Sequence, residues 1–318
     1  MSHIVVTGAN GFVGHAVCRV LLENGHSVTG LVRRPGGCVP GVSEWVHPDK
    51  DFTGLAEAWP AELKADCVIH LAARVHVMRD DARDPERAFR STNLDGTLRV
   101  ADAALRRGVG RLVYVSSIKA IAERDLGQPI RETDPAAPED AYGRSKLAAE
   151  QALHRFGDET GLDTVIVRPP LVYGPEVRAN FLRLMDAVWR GVPLPLGAIG
   201  ARRSLVYVGN LADALMRCAT DPRARNGCFH IADEDALTVP ELLQRVGRHL
   251  HKRVRLLPVS PQLLWLAGRL ARRTAQIERL TGNLRVDTSR VCTTLGWRPP
   301  YSTDDGLAAT ARWYRSMR

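Results

Sequence analysis

The sequence has few cysteines and lacks the spacings by which cysteine and histidine usually hold a metal. Six cysteines are scattered over 318 residues without a C-x-x-C pair, and the ten histidines include no H-E-x-x-H. Those spacings are typical of zinc sites, and clustered cysteines are typical of disulfide-rich domains. We therefore expect reduced thiols that pack as small apolar side chains, with Cys67 fully buried, and no metal site.

Long hydrophobic runs are missing as well. The first residues, MSHIVVTGANGFVG, contain no basic stretch followed by a long apolar one, and no later window reaches the roughly 18 apolar residues of a membrane span. The sequence predicts a cytoplasmic protein with no signal peptide and no stable membrane insertion. The amphipathic stretch Gln262–Arg273 is expected to pack on the protein, with a membrane surface as the alternative.

Acidic residues are fewer than basic ones, 35 against 44, which leaves a net charge of +9. The arginines are spread along the chain, and no helix-turn-helix, zinc-finger or RNA-binding signature accompanies them. We therefore expect no nucleic-acid partner and favour a small anionic ligand such as a nucleotide.

What the first half does contain is a regular alternation. The apolar runs HIVVTG, SVTGLV, DCVIHLAA and RLVYVSS alternate with helical patterns at about Phe12 to Asn24 and Glu86 to Arg107. A further helix near Ala141 and the strand DTVIVRP follow. This alternation predicts an α/β fold with a doubly wound parallel sheet of the Rossmann type.

The alternation stops where proline, glycine and arginine become denser, at about residues 169–203. We therefore expect a dinucleotide-binding Rossmann domain over residues 1–170 and a smaller substrate-binding lobe over residues 171–318, with interleaving of the two left open. The second half predicts helices at about residues 180–190, 210–219 and 239–250, a strand at SLVYV and a terminal helix.

Three glycines follow the first strand directly. Gly8, Gly11 and Gly14 open a helix, an arrangement that lets the backbone turn tightly and approach a pyrophosphate at the helix N-terminus. At the end of the second strand, where a carboxylate would bind the ribose of NAD, the chain has Val32 followed by Arg33 and Arg34. This pattern predicts NADP(H) as the preferred cofactor and NAD(H) as the alternative.

A tyrosine and a lysine stand four residues apart in AYGRSKLAAEQAL. On a helix this spacing places Tyr142 and Lys146 on one face, one turn apart. A nearby ammonium favours the phenolate, so we expect the pKa of Tyr142 to fall toward the range useful for proton transfer. Tyr142 would then act as a general acid or base.

These motifs together resemble the extended short-chain dehydrogenase/reductase family, in its NAD-dependent epimerase/dehydratase branch. The resemblance rests on the G-x-x-G-x-x-G spacing, on HLAA, NLDGT, VSSIKAIA and RPPLVYGP, and on RRSLVYVGNLADAL and LGWRP near the C-terminus. It covers nearly the whole chain. It implies an enzyme acting on a nucleotide sugar, with Ser117 holding the same substrate oxygen as Tyr142.

The resemblance also implies binding residues. The cofactor would contact Gly8, Asn10, Gly11, Phe12, Val13, Gly14, Arg33, Arg34, Leu71, Ala72, Ala73, Asn93, Ser116, Tyr142, Lys146 and Arg168. The nucleotide sugar would contact Lys119, Asn180, Arg203 and Arg285. The helices around residues 87–107 and from Tyr142 onward resemble the family's dimer interface, so we expect a homodimer.

Three functions remain open at this stage. Dehydration is disfavoured, because Ile118 and Lys119 follow Ser117 where a 4,6-dehydratase has an acidic pair. The arginines after Val32 favour an NADPH-dependent reductase of a UDP-4-keto-6-deoxy-N-acetylhexosamine in bacterial surface-polysaccharide synthesis, with Tyr142 as the acid. An NAD-dependent UDP-hexose 4-epimerase is the alternative. A non-catalytic NADP(H)-binding redox sensor is the third, against which the Ser117, Tyr142 and Lys146 set argues.

Overall fold

The structure, a computed structural model, describes residues 1–75, 84–270 and 274–318. No helix within these ranges is both long and apolar enough to cross a membrane. Part of the predicted amphipathic stretch, residues 271–273, lies outside the described residues.

The strands follow the apolar runs of the sequence, and several short ones add to them. They are β1 His3–Thr7, β2 Ser27–Val32, β3 Ser43–Val46, β4 Cys67–His70, β5 Arg111–Val115, β6 Asp163–Arg168, β7 Leu171–Tyr173, β8 Arg202–Tyr207, β9 Cys228–His230 and β10 Ala236–Thr238. β4 and β6 are buried along their whole length, as parallel strands covered on both faces are.

The helices match the predicted positions where the sequence has a clear period. They are α1 Phe12–Glu23, α2 Leu55–Ala58, α3 Pro85–Arg90, α4 Gly96–Arg106, α5 Ala141–Thr160, α6 Ala179–Trp189, α7 Val208–Thr220, α8 Val239–Leu250, α9 Pro261–Leu270, α10 Thr274–Thr281, α11 Ser289–Leu295 and α12 Thr303–Ser316. The long helix predicted over Glu86 to Arg107 is interrupted by a π-helical turn, Ser91–Asp95, between α3 and α4.

The main sheet has seven parallel strands in the order β3-β2-β1-β4-β5-β6-β9. α1 and α7 cover one face and α2, α4 and α5 the other. The strand order changes direction between β1 and β4, because the chain first builds the sheet outward from β1 to β3 and then continues with β4 on the other side of β1. Open α/β sheets bind their ligands at such a switch point. The expected doubly wound parallel α/β fold is confirmed.

A second, three-stranded sheet in the order β10-β8-β7 packs with α6, α8 and α12 in a smaller lobe. Residues beyond 170 also supply β9 and α7 to the first sheet. The division at residue 170 stays a prediction. The loop after β5 joins the lobe, because Ile130 and Val286 pair as an isolated bridge.

Candidate active site

The three glycines form a turn that side chains would fill. Gly8 has a φ of +68°, and a Cβ atom on Gly14 would lie 2.2 Å from the Gly8 carbonyl oxygen. Gly11 precedes α1 without a side-chain cap, so the first N–H groups of that helix are left for a ligand. The turn therefore has the shape and the donors to hold a pyrophosphate, as the sequence predicts.

The loop after β4 lies against this turn. The hydroxyl oxygen of Thr7 accepts hydrogen bonds from the N–H groups of Leu71 (3.1 Å) and Ala72 (3.0 Å). A Cβ on Gly8 would come within 3.3 Å of the Ala72 backbone. The two predicted cofactor segments are thus brought together at the crevice between β1 and β4.

Thr7 also begins a buried chain of hydrogen bonds. Since its oxygen accepts two N–H groups, its O–H donates to Nδ1 of His70 at 2.8 Å, and Nε2 of His70 then donates to Thr97 at 3.1 Å. Burial lowers the pKa of His70 to about 3, with the charge of Lys146 acting in the same direction. His70 is therefore a neutral linker.

The hydrogen bonds that start at Thr7 reach Asn93, which lies buried in the π-helical turn. The hydroxyl of Thr97 donates to the Asn93 carbonyl at 2.6 Å. The Asn93 side chain binds the backbone of Arg74 through both of its polar atoms and donates to Ser145 Oγ at 2.9 Å. Ser145 in turn donates to the carbonyl of Tyr142 at 2.7 Å. Asn93 thus ties the loop after β4 to the start of α5.

Tyr142 and Ser117 meet in the structure. The Ser117 side chain acts on the Tyr142 phenol and lowers its pKa, and the Tyr142 ring packs edge-on against Phe89 at 6.1 Å between centroids. Asp140 caps α5 by accepting from the N–H of Gly143 at 2.8 Å, which sets the first turn on which Tyr142 lies. The tertiary structure therefore assembles the predicted hydroxyl pair.

One electrostatic expectation is wrong. Burial raises the pKa of Tyr142 to about 12, and the interaction with the Ser117 side chain opposes that rise only in part. The ammonium of Lys146 donates to the carbonyl of Val115 at 2.8 Å and lies 5.9 Å from the Tyr142 ring centroid. Because the ammonium is directed at a backbone carbonyl and not at the phenol oxygen, it does not offset the burial of Tyr142.

Lys146 is itself buried, and burial lowers its pKa to about 7. The carboxylate of Glu150, one turn further along α5, opposes this shift. Glu150 is paired with Arg168, whose Nε and terminal nitrogen approach it at 3.0 Å and 2.6 Å. The sequence assigned Arg168 to the cofactor, but the guanidinium is buried against α5, so a cofactor contact stays a prediction.

The predicted substrate residues occupy different settings. Lys119 lies between Glu123 (2.8 Å) and Asp140 (2.6 Å), so its ammonium also anchors the start of α5. Arg203 pairs with Leu284 in a short bridge, which brings it beside Arg285. Arg285 binds both oxygens of Asp125, at 3.1 Å and 2.9 Å. Asn180 is exposed in the first turn of α6.

The loop after β2 carries the predicted specificity residues. Val32 is buried at the end of the strand, whereas Arg33 and Arg34 are exposed. Sequence reasoning missed two groups that hold this region. Glu44 accepts from the N–H groups of Gly36 (2.7 Å) and Cys38 (3.2 Å). The pairing of His15 with Glu176 joins residues 161 positions apart, for which the sequence carries no signal.

A nicotinamide dinucleotide fits these residues. The glycine turn is closed to any Cβ at Gly14, the first turn of α1 is uncapped, and Ser116 Oγ is buried with no hydrogen-bond partner in the described part of the chain. A buried hydroxyl without a partner is unusual and is expected to meet a ligand or a water. These features make the crevice above β1, β4 and β5 the candidate cofactor site.

Comparison with known proteins also indicates a nicotinamide dinucleotide as the cofactor. A model described as the NAD dependent epimerase/dehydratase family matches residues 4–232. The chain is 37% identical over 317 residues to the UDP-glucose 4-epimerase of Vibrio cholerae, covering 97% of this chain and 94% of that one.

Solved structures share the fold. The UDP-N-acetylglucosamine 4-epimerase of Bacillus cereus superposes with a TM-score of 0.81 at 21% identity, covering 99% of this chain and 100% of that one. The UDP-glucose 4-epimerase of Thermus thermophilus, solved with NAD, gives 0.79 at 24% identity, covering 99% of this chain and all of that one. At these identities the likeness is one of fold.

Proposed function

Because the chain belongs to the NAD dependent epimerase/dehydratase family, as its sequence motifs indicated, we propose that it is a UDP-hexose 4-epimerase that works with NAD(H). The prediction of an enzyme of the short-chain dehydrogenase/reductase type is confirmed. The observation that carries the proposal is the grouping of Ser117, Tyr142 and Lys146: the Lys146 ammonium lies 5.9 Å from the Tyr142 ring centroid, and the Ser117 side chain acts on the Tyr142 phenol by lowering its pKa. The name and near-complete coverage of the Vibrio cholerae relative support the choice of epimerization.

Three side chains would have different roles at the C4 oxygen of the sugar. Bound NAD would supply a reversible hydride acceptor for the C4 carbon of the sugar. Tyr142 takes the proton of the C4 hydroxyl as a general base and gives it back as a general acid. Ser117 donates a hydrogen bond to the same oxygen, and Lys146 supplies positive charge beneath the pair.

The cofactor would be held by the glycine turn, Leu71 to Ala73, Asn93 and Ser116. In the free protein the high pKa of Tyr142 keeps the phenol protonated at neutral pH. A cation placed next to the phenol favours the phenolate, so proton removal requires more positive charge than Lys146 supplies in the free protein, and the bound cofactor would add it. On the substrate side, Arg203 and Arg285 have the planar donor groups that suit a diphosphate.

A second function is favoured by one feature, the loop after β2. Val32 ends the strand without a carboxylate, and the exposed Arg33 and Arg34 suit the extra phosphate of NADP(H). A reductase consumes its cofactor at every turnover, whereas an epimerase regenerates it. We therefore keep an NADPH-dependent 4-ketoreductase of a UDP-4-keto-6-deoxy-N-acetylhexosamine as the second candidate, in surface-polysaccharide synthesis.

The test presents both substrates to the purified protein. UDP-glucose and UDP-galactose are incubated separately with the protein, and the products are resolved by NMR. In a second assay, UDP-4-keto-6-deoxy-N-acetylglucosamine is incubated with NADPH or with NADH, and the absorbance of the reduced cofactor is followed. We expect interconversion of the two hexoses without net cofactor consumption. Stoichiometric NADPH loss with no interconversion would establish the reductase. Tyr142→Phe should abolish either reaction, and Tyr301→Phe, which changes an exposed tyrosine, is the control.

Two further expectations belong to this proposal. A sensor without catalytic activity would show binding of the cofactor and neither reaction, so any Tyr142-dependent turnover excludes it. A cytoplasmic homodimer formed through residues 87–107 and the helix from Tyr142 also stays a prediction. Light scattering of the purified protein tests the dimer directly.

A further inference from the structure

The outer face of α9 is unusually apolar for a surface. Leu263, Trp265 and Leu266 are 60%, 44% and 51% exposed, and Leu257, just before the helix, is 48% exposed. Leu264 on the opposite side is buried in the core of the smaller lobe. α9 is therefore already anchored by its inner face. We call the four exposed side chains the α9 patch.

The α9 patch lies in a segment without negative charge. From Leu242 to Ile277 the sequence has no aspartate or glutamate but eight arginines and lysines. They are Arg245, Arg248, Lys252, Arg253, Arg255, Arg269, Arg272 and Arg273, of which the last two lie outside the described residues. Apolar and cationic side chains are thus combined over one stretch of chain.

The cations nearest the patch along the chain are exposed as well. Before α9 the chain alternates, with Val254 and Leu256 packed against the lobe core and Arg253, Arg255 and Leu257 exposed. This segment is held in place because the N–H of Leu257 donates to the Leu194 carbonyl at 2.8 Å. Within the helix, the guanidinium of Arg269 stacks over the Trp265 ring at 5.7 Å. Exposed arginines therefore precede the α9 patch in the chain, and one further arginine stacks on its tryptophan.

We propose that the α9 patch binds the surface of an anionic lipid bilayer. Tryptophan and leucine enter the boundary between headgroups and acyl chains, while arginines bind the lipid phosphates. A second copy of this chain fits less well, because a twofold contact would place the same cationic surface on both sides. Nucleic acid would leave the four large apolar side chains of the α9 patch without a role. This inference is independent of the proposed epimerization.

The experiment is co-sedimentation of the full-length protein with vesicles of equal parts phosphatidylglycerol and phosphatidylcholine. At about 0.1 M salt, where charges still act over about 10 Å, we expect binding to these vesicles and little to phosphatidylcholine alone. The triple variant Leu263→Gln, Trp265→Gln, Leu266→Gln should bind at least about ten-fold more weakly. Leu126→Gln with Met317→Gln removes exposed apolar side chains elsewhere and should bind like the wild type.

A charge variant and a spectroscopic readout complete the test. Arg253→Gln, Arg255→Gln and Arg269→Gln together should weaken binding by about 10²-fold, because each cation at an anionic surface contributes about five-fold. Tryptophan emission should shift to the blue on vesicle addition in the wild type but not in Trp265→Phe. Circular dichroism checks that the variants stay folded.

Three results would overturn the proposal. They are no sedimentation of the wild type with anionic vesicles, equal sedimentation of the wild type and the triple glutamine variant, or a smaller oligomer for the triple variant in light scattering. The last result would assign the α9 patch to a contact between copies of the chain.

Discussion

The carbonyl oxygen of Gly8 lies 2.2 Å from the point that a Cβ atom on Gly14 would occupy. Real Cβ atoms do not approach an oxygen so closely, so any side chain at Gly14 must move the backbone of the turn. The same turn carries the positive φ of Gly8 and leads into the uncapped start of α1. A single steric relationship thus couples the helix to the surface proposed for the pyrophosphate.

Gly14→Ala should therefore weaken cofactor binding, by about ten-fold or more, and destabilise the protein by about 1 to 3 kcal/mol, as overpacking does. Calorimetric titration with NAD(H) and NADP(H) and urea unfolding measure the two effects. Gly200→Ala is the matched control, since no atom lies within 4 Å of its would-be Cβ and its φ is ordinary. Equal behaviour of the two variants would refute the role of the turn.

Substitutions of the two adjacent serines should affect different constants, kcat for Ser117 and cofactor affinity for Ser116. Ser117 acts on the Tyr142 phenol by lowering its pKa, whereas Ser116 Oγ is buried and unpartnered within the described part of the chain. Ser117→Ala should lower kcat by about 10²-fold, the usual loss when one donor to the reacting oxygen is removed. Ser116→Ala should leave kcat within a few-fold and weaken cofactor binding. Steady-state kinetics with saturating cofactor decide, and the reverse pattern would exchange the two roles.

The buried pair of Glu150 and Arg168 predicts a non-additive effect on stability. Arg168→Met leaves the Glu150 carboxylate buried without its partner and should cost about 3 to 5 kcal/mol of unfolding free energy. Adding Glu150→Met should recover most of that loss, because the second change removes the uncompensated charge. Urea unfolding of the two single variants and the double variant gives the coupling. Additive losses would show that the two residues act independently.

Acid should destabilise the protein in part through His70. Its pKa is about 3 in the fold against 6.5 for a free histidine, so between these values the unfolded chain binds the extra proton. Stability from this residue is therefore full above pH 6.5 and falls below it by about 1.4 kcal/mol per pH unit. When the free energy of unfolding is measured between pH 7 and pH 3, it should fall less steeply with decreasing pH for His70→Gln than for the wild type. The exposed His154→Gln should keep the wild-type slope.

What the sequence could determine alone was local in the chain. Gly8, Gly11 and Gly14 lie within one turn, and Tyr142 and Lys146 lie one helical turn apart, so spacing was enough to identify them. The parallel sheet followed from alternating periods, and the strands β1, β2, β4, β5 and β6 stand where the apolar runs are. Short strands such as β9, buried among elements distant in sequence, carried too few residues to show a period.

What only the tertiary structure decided involves distant residues and their burial. Ser117 meets Tyr142, and Thr7 reaches His70 and, through Thr97, Asn93, across separate strands and helices. The pKa of Tyr142 rises and is not lowered, because desolvation depends on what surrounds the phenol and not on how far along the helix Lys146 lies. Spacing in a sequence fixes which groups share a helix face, whereas the packing of the whole chain fixes their charge.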